Sequence, residues 1–121
     1  MDAVADHPGE LRADGWLVHG ATVLASAEIA RTRAEIRRGL LGRDQIDGVL
    51  VLPVRSVHTL GMRCTIDVAF CDADGQVLRL VTMAPWHPGR VCWAARQVIE
   101  APERSFASWG ISVGDVLEVR T

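Results

Sequence analysis

The residues of this chain best suited to chemistry gather in the run Ser-Val-His-Thr-Leu-Gly-Met-Arg-Cys-Thr-Ile-Asp-Val-Ala-Phe-Cys-Asp-Ala-Asp-Gly, residues 56–75. It sets His58, Arg63 and Asp67 on a short apolar strand that Asp72-Ala73-Asp74-Gly75 turns back. Polar groups woven into such a strand are either hydrogen-bonded within the fold or offered to a ligand, because an unmet buried polar group is costly. A second group, Trp86 and His87 with Trp93 just beyond, lies on the loop Pro85-Trp86-His87-Pro88-Gly89-Arg90. Loops on rigid β scaffolds present recognition groups in this way, and indole faces stack on sugars or bases. His58, Arg63, Asp67, Trp86, His87 and Trp93 are therefore the candidate ligand-binding residues.

No catalytic set accompanies them. Ser56 and His58 share a strand face, but no orienting acid or oxyanion hole is visible, and neither a G-x-S-x-G elbow nor a Gly-rich phosphate loop occurs. Cys64 or Cys71 would need a lowered thiol pKa to attack a substrate, and Arg63 is the visible cationic neighbour. Asp67 stands alone on its strand, so no carboxylate pair is offered for acid–base work. Its structural reading, as an acceptor of backbone N–H groups or a partner of Arg43 or Arg63, is preferred to a ligand role. His58 carries the same ambiguity.

Metal chemistry is not expected either. His58, Cys64, Cys71, His87 and Cys92 lack the close ligand pairs of zinc sites. Cys64 and Cys71 are an odd number of positions apart and face opposite sides of a regular strand. Asp72 and Asp74 begin like a calcium loop, but Gly75 comes early and the distal Glu is absent. No metal or other cofactor is predicted.

The elements that must position these groups are short. Residues 1–14 read as a flexible acidic tail and 15–121 as one β-rich domain. Trp16–His19 and Thr22–Ala25 form a hairpin about Gly20-Ala21. Thr32 and Glu35 have capping-box spacing, so a helix should begin at Arg33 and end near Gly39. The apolar run at Val49–Val54 predicts a strand buried on both faces. Ile66, Val68 and Phe70 alternate with Asp67, Ala69 and Cys71, and Val77–Thr82 returns as their partner, with Gly75 left-handed in the turn. A strand follows near Ala95–Glu100. Pro102 and Gly110 bracket a second short helix, and Val116–Val119 closes the chain. Short strands with two short helices predict a mainly β (α+β) fold, a small antiparallel jelly-roll-like barrel or sandwich.

Composition narrows the partners. The chain has 121 residues, 49% of them hydrophobic, and a net charge of −2. All 13 basic residues are Arg, as the codon bias of a GC-rich genome would produce. Residues 31–63 are locally basic, seven Arg against Glu35, Asp44 and Asp47, but a nucleic-acid partner calls for a stronger footprint and none is expected. No run has the length of a membrane span, and no secretory signal opens the chain. Three cysteines, an odd number, suit a reducing cytoplasm better than a disulfide framework.

Several motifs together carry a resemblance. Arg38-Gly39-Leu40-Leu41-Gly42-Arg43, His58-Thr59-Leu60-Gly61-Met62-Arg63, Ile66-Asp67-Val68-Ala69-Phe70, Asp72-Ala73-Asp74-Gly75, Trp109-Gly110-Ile111 and Val113-Gly114-Asp115 occur in that order. The chain resembles, over about residues 22–120, the small bacterial and archaeal family catalogued as domain of unknown function 192. The resemblance implies a β-rich, jelly-roll-like barrel and no known activity. Cys64 departs from it, standing where many members carry Asn or an aromatic residue. Three function classes follow, in order of preference: a module binding a small molecule or glycan at a barrel mouth, an accessory protein whose partner covers the Trp86–Trp93 surface, and an enzyme of unknown reaction.

Overall fold

A computed structural model of the chain describes residues 11–43 and 46–121. In order they form β1 (Gly15–His19), β2 (Thr22–Ile29), α1 (Arg33–Arg38), β3 (Val49–Leu52), β4 (Ser56–Val57), β5 (Ile66–Cys71), β6 (Val77–Met83), β7 (Arg90–Val91), β8 (Gln97–Pro102), α2 (Ser105–Ser108) and β9 (Glu118–Arg120). Seven strands make one sheet in the order β6-β5-β8-β3-β2-β1-β9, and β4 pairs with β7 in a separate ribbon. Most pairings are antiparallel, but β2 and β3 run parallel. The chain returns between them through α1, the crossover that parallel neighbours require. An all-antiparallel reading misses this pair because nothing in either strand records its partner's direction.

The sheet is mixed and does not close into a barrel. Its edges approach where Gln76 bridges Val116 and where Leu117 N–H donates to the Gly75 carbonyl at 2.9 Å. Gly75, at φ 88°, supplies the left-handed turn residue, and an added Cβ there would collide with the Leu117 carbonyl. Closure stops at this seam. The fold is therefore a mainly β sandwich, the layered alternative of the sequence reading.

Each sheet face has its own core. Leu50, Leu52, Ile66, Val68, Phe70 and Val98 pack on one side, and Val49, Val51, Ala69, Cys71, Ile99 and Ala101 on the other. The alternation of β3 between the two faces is what its continuous apolar run requires. Leu40, following α1, covers the first face, while Phe106 of α2 covers the second.

The second helix begins later than Pro102 and Gly110 suggest. Pro102 ends β8, in register with Ile66, and Arg104 at φ 70° turns the chain into Ser105. Arg104 makes no side-chain cap; the Phe106 N–H instead meets Asp67 Oδ2 at 3.4 Å. At the N-terminal side, Leu11 to Asp14 are docked rather than free: Leu11 is buried, and Asp14 N–H donates to the Ala27 carbonyl at 2.9 Å. The part of the expected tail preceding Leu11 lies outside the described residues. Among the described residues no helix is long and apolar enough to cross a membrane.

Candidate functional site

The first core contains an ionisable group that its neighbours do not satisfy. β8 lies between β5 and β3, with Glu100 in register with Val68 on one side and Leu50 on the other. Its side chain therefore emerges on the Leu50–Val68 face, in the middle of the sheet. Glu100 is 5% exposed, and among the described residues Oε1 has no hydrogen-bond partner. Burial pushes its carboxyl up to about 7, because desolvation penalises the charged form. Glu28 makes the contrast plain, since it flanks the same Leu50 from β2 and is also buried. Its Oε1 accepts the Arg12 N–H at 2.6 Å, and its Oε2 lies 3.9 Å from both Arg12 Nη1 and Arg43 Nη2. One buried glutamate is paired; the other is not.

Glu100 lies at the base of a cleft of about 90 Å³. One wall is the end of α1. Thr32 and Glu35 close the expected capping box, and Arg12 clamps Glu35 at 2.6 Å. The Arg31 and Thr32 N–H groups, with Arg12, hold the Glu35 carboxyl down at about 2. Gly39 then breaks the helix at φ 50° and ψ −128°, a backbone shape that glycine alone adopts without strain. Glu100 Oε1 sits 3.8 Å from where a Cβ on Gly39 would project. Leu40, Leu52, Val57 and Met62 give apolar sides, and Arg37, Arg38, Ser56 and His58 supply the polar lining.

The second wall is held by Thr59. Its hydroxyl donates to the Ala84 carbonyl at 2.6 Å and accepts the His87 N–H at 2.8 Å. Its own N–H donates to the His87 carbonyl at 3.0 Å, and its carbonyl accepts the Trp86 N–H at 2.8 Å. The 84–89 loop is thus fastened along the residues that form the cleft.

Of the six candidate ligand-binding residues, His58 alone lines this cleft; its Nδ1 accepts the Leu60 N–H at 3.2 Å. β5 starts only at Ile66, so His58 and Arg63 precede the strand on which they were expected to lie. Arg63 is exposed. His87 turns inward through its backbone, with Nδ1 accepting the Gly89 N–H at 3.1 Å. Trp86 and Trp93 are 68% and 76% exposed and line no part of the cleft.

Asp67 faces the second core, because it alternates with Ile66 and Val68. It borders an open depression of about 200 Å³ with Thr82 and Phe106. Its carboxylate accepts the Thr82 hydroxyl at 2.9 Å and the Phe106 N–H, not an arginine. Convergence of Asp67 with His58 and the loop is therefore corrected: the sheet separates them. Asp67→Asn should cost about 1 kcal/mol, read by thermal melting, since the amide satisfies one of these donors in place of two. Trp86→Ala should shift stability by under about 0.5 kcal/mol, as exposed substitutions do; a large loss in the melt would show a packed indole.

Cys71 is buried, and its thiol is pushed up to about 12 by burial, with Asp72 and Cys92 adding to the shift; a thiol kept protonated at neutral pH is no nucleophile. Among the described residues no three His, Cys, Asp or Glu side chains gather as a metal site would need. Glu100 lines the cleft and is not among the six candidates of the sequence. The signal was present, since Val98 and Glu100 share a face of an apolar strand.

Comparison with known proteins agrees with the motif resemblance. The profile of the DUF192 family, described as an uncharacterized ACR, matches residues 17–119. The chain belongs to the DUF192 family. A UPF0127 protein of Pyrococcus furiosus is 35% identical over 78 residues, a match covering 58% of this chain and 65% of that protein. The chain thus spans slightly under two thirds of that relative's length. A protein of unknown function from Novosphingobium aromaticivorans shares the fold at TM-score 0.75 and 22% identity, covering 86% of this chain and 83% of the other. A Sinorhizobium meliloti protein provisionally described as a transcription regulator does so at 0.74 and 20%, covering 86% and 90%. These likenesses extend the DUF192 fold without adding an activity.

Proposed function

We propose that this DUF192 chain is a small-ligand-binding module whose site is the cleft over Glu100, framed by α1 and the 56–62 segment. The observation that carries the reading is the buried Glu100 carboxyl, whose Oε1 has no partner among the described residues, facing a cavity. Such a group lowers stability and is replaceable by an apolar residue, so its presence suits a ligand better than the fold. Apolar walls with a few convergent polar groups are the usual make-up of a ligand site. Binding fits better than catalysis, because the lining brings one carboxyl and His58 together without an activated nucleophile. Three free cysteines suit a cytoplasmic setting.

A thermal-shift screen against sugars, nucleotides, amines, organic acids and divalent metals tests the reading. A ligand at 100 times its dissociation constant should add about 2.7 kcal/mol, and Glu100→Gln should remove most of the gain. Hits that survive Glu100→Gln unchanged would place binding elsewhere. A second reading, a protein partner, is supported by the exposure of Trp86 and Trp93; it predicts no small-molecule hit and complex formation lost in Trp86→Ala.

A further inference from the structure

The chemistry of the cleft narrows the ligand, on the footing that the cleft is the binding site. We propose that it takes the ammonium end of a short aliphatic ω-amino acid, with the ammonium on Glu100, the methylenes against the apolar walls, and the carboxylate toward Arg37 and Arg38 at the mouth. The base of the cleft is an acceptor without a donor. An ionised carboxylate offers acceptors only, and an ammonium offers three donors and the opposite charge. An anionic head driven to the same depth would meet ionised Glu100 as a like charge. Leu40, Leu52, Val57 and Met62 offer the methylenes no hydrogen bonds, so selectivity for an unbranched chain comes from shape and burial. The volume of about 90 Å³ is several times the roughly 10–15 Å³ of cavity that one water needs, room for an ammonium and a few methylenes.

The charged groups around Glu100 support this orientation. Arg37 and Arg38 approach from α1 and His58 from the segment after β4. From β2, Glu28 shares the face across Leu50 but is already engaged by Arg12 and Arg43. Among the described residues no cation pairs with Glu100 itself, and burial accounts for its raised pKa. The arginines that line the cleft are exposed, which suits them to a carboxylate at the mouth. Near pH 7 the free protein holds Glu100 partly protonated. An arriving ammonium favours the ionised carboxylate, so the carboxyl proton leaves to the buffer as the ion pair forms.

Titration calorimetry with 5-aminopentanoate, pentylamine, pentanoate and pentan-1-ol, in buffers of different ionisation enthalpy, provides the test. Methyl NMR of Met62 is followed in parallel. The expected result is that 5-aminopentanoate binds more tightly than pentylamine, both release protons at pH 7, and Glu100→Gln weakens both by roughly 30-fold or more. Glu100→Gln is expected to fold, since it removes a buried charge. Amines that bind equally well to Glu100→Gln would overturn the assignment. Pentanoate or pentan-1-ol binding in preference to the amines, with Met62 shifted, would overturn the ligand class and leave the cleft as the site. Silence from all four compounds in both heat and Met62 shifts would overturn the ligand class and count against the binding-module reading itself.

Discussion

Glu100→Gln should stabilise the protein at pH 8 by about 2 to 3 kcal/mol more than at pH 5. In the folded chain the carboxyl is pushed up to about 7; in the unfolded chain it returns to the ordinary value near 4.3. Between these values the folded state holds a proton that the unfolded state has lost. Wild-type stability therefore falls as pH rises from about 4 to about 7, and the full loss is present above the folded pKa. Glutamine has nearly the same shape and never ionises, so it escapes that loss while keeping the packing against Leu50 and Val68. Melting curves at the two pH values measure the effect as a difference of several degrees. Equal shifts at pH 5 and pH 8 would show that Glu100 finds a partner or water in solution.

The second large effect is a loss. Thr59→Val should destabilise the protein by about 2 to 3 kcal/mol, a fall in Tm of roughly 10 °C. Thr59 is fully buried, and valine matches its shape, so the cost is polar. The substitution strands the Ala84 carbonyl and the His87 N–H, which the hydroxyl serves at 2.6 and 2.8 Å. The exposed Ala84 can recruit water, which keeps the cost below that of two wholly buried losses. Thr59→Ser keeps the hydroxyl and should recover most of the stability. Hydrogen exchange at His87 N–H should quicken in the valine variant. A valine variant within about 0.5 kcal/mol of wild type would mean that the 84–89 loop is held by the backbone bonds alone.

The parts of this fold that were legible in advance are those written in local chemistry. The Thr32–Glu35 capping box, the Gly39 helix end and the Gly75 turn each depend on residues within a few positions of one another. The β3 run of apolar residues revealed burial on both faces because period-2 alternation needs no knowledge of neighbours. What was hidden depends on pairing at a distance. The parallel β2–β3 contact, the α2 cap supplied by Asp67 and the role of Thr59 all join segments far apart in the chain.

The site was legible in the same uneven way. His58 lines the cleft, whereas Asp67 lies on the other face of the sheet and borders a different depression. Glu100 is inconspicuous in the sequence, a lone carboxylate in an apolar strand far from the polar 56–75 run. A carboxylate on the Val98 face of β8 becomes conspicuous once that strand is known to be central. Arg12 shows a related blind spot: lying in the expected tail, it serves Asp14, Glu28 and Glu35 at once.

The pH titration of the Glu100 side-chain carboxyl carbon by NMR, in the free protein, decides whether the cleft holds an unpartnered carboxyl. A carboxyl buried without a partner should show a midpoint near 7, with the Met62 methyl moving in step because both border the cleft. A midpoint near the ordinary 4.3 would mean that the carboxyl is hydrated or paired, and the cleft would lose its ground as a ligand site.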